Sequence, residues 1–353
     1  MSKKITLHET TLRDGSYVNR FQFSMLETAY LAEKLDDAGL KFIEIGHGQG
    51  LGAYRKGGEY AAAATDEEYL KVAVPSVKNA KIGMFCIPGF AKLSDLDLAH
   101  DCGMKFVRVG TNVTEIEPSK DFIKKAKKYG MFVCANYMKS YALSPKKLAE
   151  KTKISKSYGV DMVYIVDSAG GMLPCELENY IKAIQDNCDV ELGYHAHNNL
   201  GLAVSNSLIA VKNGVKFVDT SLQGLGRSAG NASTEQMAMV LSRSGYEHGI
   251  DLFKILDLGF DTVQPMLVQM GLNPIDLVSG YALFHSSYMP LIREFSNHYC
   301  VDPRELIIEL CKIDQINAPR ELVEKIAKRL KPVKKKIFFS KYHLERYYVN
   351  EQK

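Results

Sequence analysis

Eight short apolar segments recur along the first two thirds of the 353-residue chain, separated by stretches with helical spacing. The segments are rich in β-branched residues and start roughly 25 to 40 residues apart, which leaves room for a helix and two loops in each repeat. They cover residues 5–7, 42–45, 82–86, 106–109, 132–136, 162–166, 190–194 and 217–221. Eight alternating strands and helices favour an α/β fold with a closed parallel barrel, the (β/α)8 or TIM barrel. A doubly wound sheet is the alternative, but no G-x-G-x-x-G segment follows the first strand.

Several helix starts are also marked in the sequence. Ser24, followed three residues later by Glu27, predicts a capping box for a helix that ends near Asp37. Ser144 and Pro145 predict an N-cap followed by proline at the first helical position. These starts fall between the predicted strands, as the barrel requires.

The regular recurrence of predicted strands ends after about residue 249, and the apolar residues of the rest of the chain have helical spacing. Predicted helices cover residues 251–257, 262–271, 274–296, 302–313 and 319–330. We therefore expect a barrel domain at residues 1–254 and a helical C-terminal region at 255–353. The basic run at 331–336 and the aromatic-rich residues 338–348 are interpreted as a solvated linker and a docking segment.

Composition limits which binding partners and which cellular compartment we expect for this protein. The formal net charge of +4 is small for this length, so it predicts no general affinity for nucleic acid but tolerates an anionic substrate. Seven scattered cysteines without a C-x-x-C motif are typical of a reducing compartment. No signal-peptide pattern and no apolar run of about 20 residues is present, so we expect a cytoplasmic protein without a membrane partner.

Two motifs predict a metal site. Arg13 and Asp14 follow the first predicted strand, where the working residues of such barrels lie, although Asp-Gly is also a common tight turn. His195 and His197 end the seventh strand, and residues two apart on a strand share a face. Two imidazoles and one carboxylate suit Mn²⁺, Mg²⁺, Fe²⁺, Co²⁺ or Zn²⁺ and leave positions open. The alternative is that the histidines only pack or hydrogen-bond at the strand end.

Further candidates follow other strands. A glycine-rich loop after the eighth strand leads to Asn231, close to the next helix start. Ser168 ends the sixth strand and is either a donor to a substrate carboxylate or a loop N-cap. Glu44 in the second strand points to the interior, where it either supports the site residues from behind or is a buried partner of Arg13. His47, after that strand, either lines the substrate site or belongs only to the loop.

Taken together, three motifs resemble one group of enzymes. They are T-L-R-D-G at 11–15, H-A-H-N-N at 195–199 and G-L-G-R-S-A-G-N-A at 224–232. The combination is similar to the metal-dependent pyruvate aldolases, hydroxymethylglutaryl-CoA lyases and isopropylmalate synthases. H-G-Q-G-L-G-A-Y at 47–54 and S-G-Y-A-L-F-H-S-S-Y at 279–288 further resemble 4-hydroxy-2-oxovalerate aldolases. The resemblance covers roughly residues 3 to 310.

This resemblance implies a carbon–carbon lyase, a class II aldolase that cleaves or forms a 4-hydroxy-2-oxo acid. Pyruvate would be its product or donor, through a metal-bound enolate. Asp14, His195 and His197 would hold the divalent metal, with Asn231 approaching it. Mn²⁺ is the first choice, and Mg²⁺, Co²⁺ or Zn²⁺ are alternatives. The runner-up activity is a Claisen-type acyl-CoA synthase or lyase of the same superfamily.

The other roles that the resemblance implies concern the substrates and partners. Arg13 would stabilise the enolate oxygen, and Ser168 would bind the pyruvate carboxylate. The substrates would be a small 2-oxo acid and an aldehyde. Self-association is expected, and the helical region is a candidate contact for an acylating aldehyde dehydrogenase.

One departure from the family pattern affects catalysis. Family aldolases carry a histidine shortly after R-D-G, where this chain has Tyr17, and a tyrosine before Ser-Ser, where it has His285. We predict that His285 removes the substrate hydroxyl proton and that Tyr17 orients this hydroxyl. In the alternative, His285 only packs and Tyr17 lines a changed pocket. A metal-binding scaffold without catalysis is the third interpretation.

Overall fold

The computed structural model describes residues 4–58, 61–267 and 274–333. Eight parallel strands close into a barrel, because β1 pairs with both β2 and β8. The strands are β1 (Thr6–Glu9), β2 (Phe42–Ile45), β3 (Lys81–Cys86), β4 (Phe106–Asn112), β5 (Phe132–Met138), β6 (Met162–Asp167), β7 (Glu191–Ala196) and β8 (Phe217–Thr220). The predicted (β/α)8 barrel is thus confirmed.

One α-helix follows each strand and packs on the outside of the barrel. These helices are α1 (Met25–Asp37), α2 (Asp66–Ser76), α3 (Leu93–Asp101), α4 (Ser119–Lys128), α5 (Pro145–Tyr158), α6 (Pro174–Gln185), α7 (Ala203–Lys212) and α8 (Thr234–Arg243). The predicted capping box of α1 is present, since the Ser24 side chain accepts from the Glu27 N–H and the Glu27 side chain from the Ser24 N–H. Ser144 is the N-cap of α5, but its side chain makes no capping hydrogen bond.

The barrel interior is filled in layers, as side chains from alternate strands meet on the axis. Near the N-terminal end, Phe42 of β2 contacts Phe106 of β4, Phe132 of β5 and Phe217 of β8, and Phe132 also contacts Phe217. Two residues further along the even-numbered strands, the next layer is polar. It consists of Glu44, Arg108, Tyr164 and Asp219, all buried.

The C-terminal part is helical and builds a second apolar cluster from residues between 275 and 327. Its helices are α9 (Leu252–Leu258), α10 (Pro274–Ala282), α11 (Met289–Tyr299), α12 (Pro303–Cys311) and α13 (Arg320–Ala327). A C-terminal helical extension is therefore confirmed. The division at residues 254 and 255 stays a prediction, and Ile255 and Leu258 pack into the barrel's own cluster.

Two helix predictions were wrong. The segment 274–296 is not one helix, because Leu283 adopts a left-handed φ of 57° and His285 then caps the short 3-10 turn Ser286–Tyr288. The stretch after α9 continues as the π-helical turn Gly259–Val263 and the 3-10 turn Gln264–Met266, which includes Pro265. Proline cannot donate the backbone hydrogen bond that an α-helix needs. Part of this stretch, and the predicted linker and tail beyond residue 333, lie outside the described residues.

No helix within the described ranges combines the length and apolarity that crossing a membrane would require.

Candidate active site

Arg13 and Asp14 lie beyond the end of β1, in a turn rather than on the strand itself. Their backbone N–H groups donate to the Thr10 carbonyl at 3.0 and 2.8 Å. Both side chains point inward, with only 5% and 1% of their surfaces exposed. Arg13 donates through Nε to Glu44 at 2.7 Å and through Nη1 to Asp14 at 2.6 Å. The tight turn exists, but it serves to bury a charged pair at the C-terminal mouth of the barrel.

His195 and His197 reach the same point from β7. Potential ligand atoms of Asp14, His195 and His197 all lie within 4.8 Å of one another. Nδ1 of His195 lies 2.8 Å from Oδ2 of Asp219, so its other ring nitrogen can bind a cation. A carboxylate behind a histidine fixes the ring's tautomer and orientation in many metal sites.

The charge balance of this buried cluster fits a bound cation. Three carboxylates, Asp14, Glu44 and Asp219, face two guanidinium groups, Arg13 and Arg108, which leaves one negative charge among these five side chains. Burial lowers the pKa of His197 to about 3, so its ring is neutral and can act as a ligand. Burial alone would raise the pKa of Asp14, but Arg13, the two histidines and the hydrogen bond from Asn231 together hold that pKa well below its usual value. Anionic and neutral nitrogen ligands of this kind suit a divalent metal.

Asn231 completes the wall of the cluster. Its Nδ2 donates to Oδ2 of Asp14 at 2.9 Å, and its backbone pairs with that of His197 in an antiparallel bridge. Its buried Oδ1 has no hydrogen-bond partner among the described residues. A Cβ at Gly226 would lie 2.7 Å from the Asn231 amide nitrogen, so glycine is needed for this approach. Helix α8 starts three residues later, as expected.

Of the polar layer beneath the cluster, only Glu44 was predicted from the sequence, and Arg108 and Asp219 were missed. Arg108 of β4 donates to Glu44 at 3.1 Å and pairs with Asp219 at 2.6 Å. One guanidinium thus holds both the carboxylate that binds Arg13 and the carboxylate that binds His195. Glu44, Arg108 and Asp219 each place one charge inside an apolar segment. This was the available signal, since a charge in a barrel interior requires a partner.

We expect Arg108→Met to destabilise the protein by about 3–5 kcal/mol, because buried Asp219 loses its guanidinium partner and buried Glu44 keeps only Arg13. Urea unfolding measures this change. Arg304→Met is the matched control, because Arg304 pairs with Asp302 at a partly exposed site, where an ion pair contributes about 1 kcal/mol or less. Equal stability losses in the two variants would contradict the role of Arg108.

Ser168 and His47 lie on either side of the mouth. The Lys139 N–H donates to Oγ of Ser168 at 2.9 Å, which leaves the Ser168 hydroxyl hydrogen for another acceptor. His47 stacks on Phe21 with ring centroids 3.8 Å apart, and its Nδ1 accepts from the Gln49 N–H. These contacts organise the loop after β2, and a substrate role for His47 stays a prediction.

Tyr17 and His285 approach the site from different segments and share a neighbour, Arg227. The Arg227 guanidinium lies 4.4 Å from the centroid of the Tyr17 ring, and its Nε donates to Oγ of Ser286 at 3.0 Å. Arg227 lies in the glycine-rich motif at 224–232, but the motif alone did not predict that Arg227 is a site residue. This contact brings the segment that carries His285 to the barrel mouth.

The environment of His285 keeps its ring neutral. Burial lowers the pKa of His285 well below its usual value, and the nearby charges of Arg227 and Lys139 add to this effect. Its Nδ1 lies 2.7 Å from Oγ of Ser287. Because Nδ1 also accepts from the Ser287 N–H at 3.2 Å, Nδ1 is the unprotonated nitrogen of the neutral ring in this geometry, and Nε2 carries the proton.

Known proteins that are similar to this chain indicate its family. The HMGL-like family model matches residues 4–261. The 4-hydroxy-2-oxovalerate aldolase of Carboxydothermus hydrogenoformans is 39% identical over 338 residues, 95% of this chain and 100% of that protein. 4-Hydroxy-2-oxovalerate aldolase 2 of Rhodococcus jostii is 39% identical over 94% of this chain and 96% of its own length.

Solved structures share the fold at lower identity. The carboxyl transferase domain of Rhizobium etli pyruvate carboxylase, as the Y628A variant with pyruvate, superposes with a TM-score of 0.76 at 16% identity, covering 92% of this chain and 60% of that one. The HMG-CoA lyase of Brucella melitensis gives 0.65 at 19% identity, covering 74% and 99%. The family model spans most of the barrel, and the aldolases match nearly the whole chain. The chain therefore belongs to the HMGL-like family.

Proposed function

We propose that the protein is a divalent-metal-dependent aldolase that cleaves or forms a 4-hydroxy-2-oxo acid, with pyruvate as product or donor. The observation that carries this proposal is the buried cluster of Asp14, His195 and His197 beside Arg13. The relatives that match this chain over its full length are named aldolases, which favours this activity over a Claisen-type acyl-CoA reaction. The presence of all four of these side chains also makes the third interpretation, a metal-binding scaffold without catalytic activity, less favoured.

Asp14, His195 and His197 would hold the metal, with Asn231 beside it. When bound, the metal supplies positive charge that polarises the oxygens of a 2-oxo acid. Arg13 provides a second positive charge: its Nε and Nη1 are engaged, and its Nη2 makes no hydrogen bond to a described residue. Nη2 can therefore donate to the pyruvyl oxygen as negative charge develops there. The Ser168 hydroxyl would donate to the substrate carboxylate.

Proton transfer falls to the second pair of residues. In cleavage, a base must remove the proton of the C4 hydroxyl while the bond between C3 and C4 breaks. His285 is the proposed base, and Tyr17 orients the hydroxyl. Their common neighbour Arg227 supports this pairing.

The finer assignments rest on the sequence and on the relatives. Mn²⁺ is the metal proposed from the family resemblance, and the set of one carboxylate and two imidazoles is compatible with it. Self-association and contact with an acylating aldehyde dehydrogenase through the helical region are proposed from the family resemblance. A cytoplasmic location is proposed from the cysteine usage.

A panel of aldehydes incubated with pyruvate and Mn²⁺ tests the function, with products identified by mass. We expect a 4-hydroxy-2-oxo acid to form from at least one aldehyde and to release pyruvate when the reaction is reversed. In a parallel experiment, the protein is incubated with acyl-CoA substrates and the release of free thiol is measured. Thiol release without any pyruvate product would overturn the proposal in favour of the Claisen-type activity.

We expect His285→Ala to lower kcat for cleavage by about 10²–10⁴-fold, the usual contribution of a positioned base. Mn²⁺ affinity should stay within about threefold, because His285 is not among the proposed ligands. His298→Ala, at an exposed position on α11, is the matched control and should keep the parent rate. Full turnover by His285→Ala would remove His285 from the mechanism.

A further inference from the structure

Lys139 is a buried lysine at the mouth of the barrel that the proposed mechanism does not use. It follows β5 directly, has a left-handed φ of 61°, and is only 3% exposed. Residues other than glycine keep this conformation where surrounding contacts fix it, and such positions cluster at functional sites. Its contacts therefore indicate what the position is for.

Two contacts of Lys139 run to the C-terminal helical region. Its Nζ donates to Oη of Tyr288 at 2.8 Å and to the carbonyl of Ile316 at 2.5 Å. Tyr288 itself donates to the same carbonyl at 2.7 Å, which closes a three-membered set of hydrogen bonds. The lysine thus joins the barrel to two separate segments, the 3-10 turn Ser286–Tyr288 and the loop before α13.

A third contact runs to the substrate side. The backbone N–H of Lys139 orients Oγ of Ser168, the proposed donor to the substrate carboxylate. Tyr288 lies three residues after His285, the proposed base, and the two rings are 6.1 Å apart. One residue therefore contacts both the carboxylate side of the site and the segment that supplies the base.

The charge of Lys139 contributes to this arrangement. The pKa of Lys139 is lowered to about 8. Burial is the main cause, Asp314 and Glu115 oppose the change, and Arg227 contributes to it. The amine is thus charged at neutral pH and loses its proton as the pH rises through about 8. A charged donor makes stronger hydrogen bonds than a neutral one, so the link to Tyr288 and Ile316 weakens in mildly alkaline solution.

We propose that Lys139 is a positioning residue that holds the C-terminal helical region on the barrel so that His285 faces the metal cluster. The inference rests on the proposed function for the role of His285, whereas the link itself depends only on the contacts of Lys139. It predicts that the lysine acts on the rate of the proton-transfer step. Substrate affinity depends on Ser168, which the backbone of Lys139 orients whatever its side chain.

The test compares Lys139→Met, Lys139→Arg and Tyr288→Phe with Lys151→Met, which removes a lysine paired with Glu117 on the barrel surface. We expect Lys139→Met to lower kcat by about 10–100-fold, the effect of a misplaced catalytic group, with KM for the 2-oxo acid within about threefold. In the parent, kcat should fall above about pH 8, and Lys139→Arg, which stays charged, should keep its rate to higher pH. Tyr288→Phe should show a smaller loss in the same direction.

Hydrogen exchange of the peptide spanning residues 286–299 provides a readout independent of activity. We expect faster exchange in Lys139→Met and Tyr288→Phe than in Lys151→Met. Unchanged exchange in both variants would overturn the link, even in a protein without aldolase activity. Faster exchange with an unchanged kcat and pH profile would overturn the positioning role. An inactive parent protein would count against the proposed function alone.

Discussion

Asp14→Asn should reduce Mn²⁺ affinity by more than about 100-fold, because it removes a direct ligand where loss of an outer partner already costs about 10–100-fold. The Asp14 carboxylate accepts from Arg13 through Oδ1 and from Asn231 through Oδ2. An amide cannot accept at both positions, and it no longer carries the charge that balances Arg13. Pyruvate release should fall below detection at Mn²⁺ concentrations that saturate the parent. Isothermal titration with Mn²⁺ and a coupled pyruvate assay measure the two effects.

Asp36→Asn is the matched control for this variant. Asp36 is also buried, but it accepts from the backbone N–H groups of Lys78, Asn79 and Ala80, away from the barrel mouth. We expect this change to lower stability and to leave Mn²⁺ affinity unchanged. Parent-like Mn²⁺ binding by Asp14→Asn would show that the metal, if bound, lies elsewhere.

Arg13→Lys should lower kcat by about 10²–10³-fold, the usual effect of losing a preorganised donor to a developing negative charge. The guanidinium contacts Glu44 and Asp14 through two nitrogens and offers a third to the substrate. An ammonium is a point charge that cannot reproduce this planar set of donors. Exchange of the pyruvate methyl protons in deuterated water should slow in parallel, because it develops the same charge.

The metal site should survive this second change. We expect Mn²⁺ affinity in Arg13→Lys within about tenfold of the parent, since a positive charge remains beside Asp14. Arg55→Lys is the control, because Arg55 binds Asp95 of α3 through two nitrogens outside the cluster. A kcat for Arg13→Lys within threefold of the Arg55→Lys value would exclude Arg13 as the proposed electrophile.

The barrel could be predicted because its strands are buried on both faces and stand out as apolar runs at regular spacing. Their ends were harder to place. The seventh strand was predicted at 190–194, whereas β7 is Glu191–Ala196 and includes His195. Period-two alternation still put His195 and His197 on one side, so the ligand cluster does not depend on that boundary.

The C-terminal helices were predicted less well, because local spacing does not reveal a break that tertiary contacts maintain. Leu283 in a left-handed conformation and Pro265 inside a helical pattern interrupt the predicted helices. The first of these breaks turns His285 toward the barrel. The proximity of His285 to the site was expected from the family resemblance and not from the pattern of the helix.

The site was predictable where motifs place residues at strand ends, and not where partners come from distant strands. The interior position of Glu44 was predicted, and of its two expected roles the structure shows the pair with Arg13. Arg108 bridges strands β2 and β8, and Lys139 meets residues 288 and 316, so neither contact leaves a local signature in the sequence. Such contacts depend on barrel closure and on docking of the C-terminal helices.

The most direct test of the central claim is anomalous diffraction at the manganese edge from crystals grown with Mn²⁺. The account predicts one anomalous peak at the barrel mouth, about 2.0–2.3 Å from a carboxylate oxygen of Asp14 and a ring nitrogen each of His195 and His197. A peak bound by other residues, or no peak with these three side chains turned apart, would contradict it.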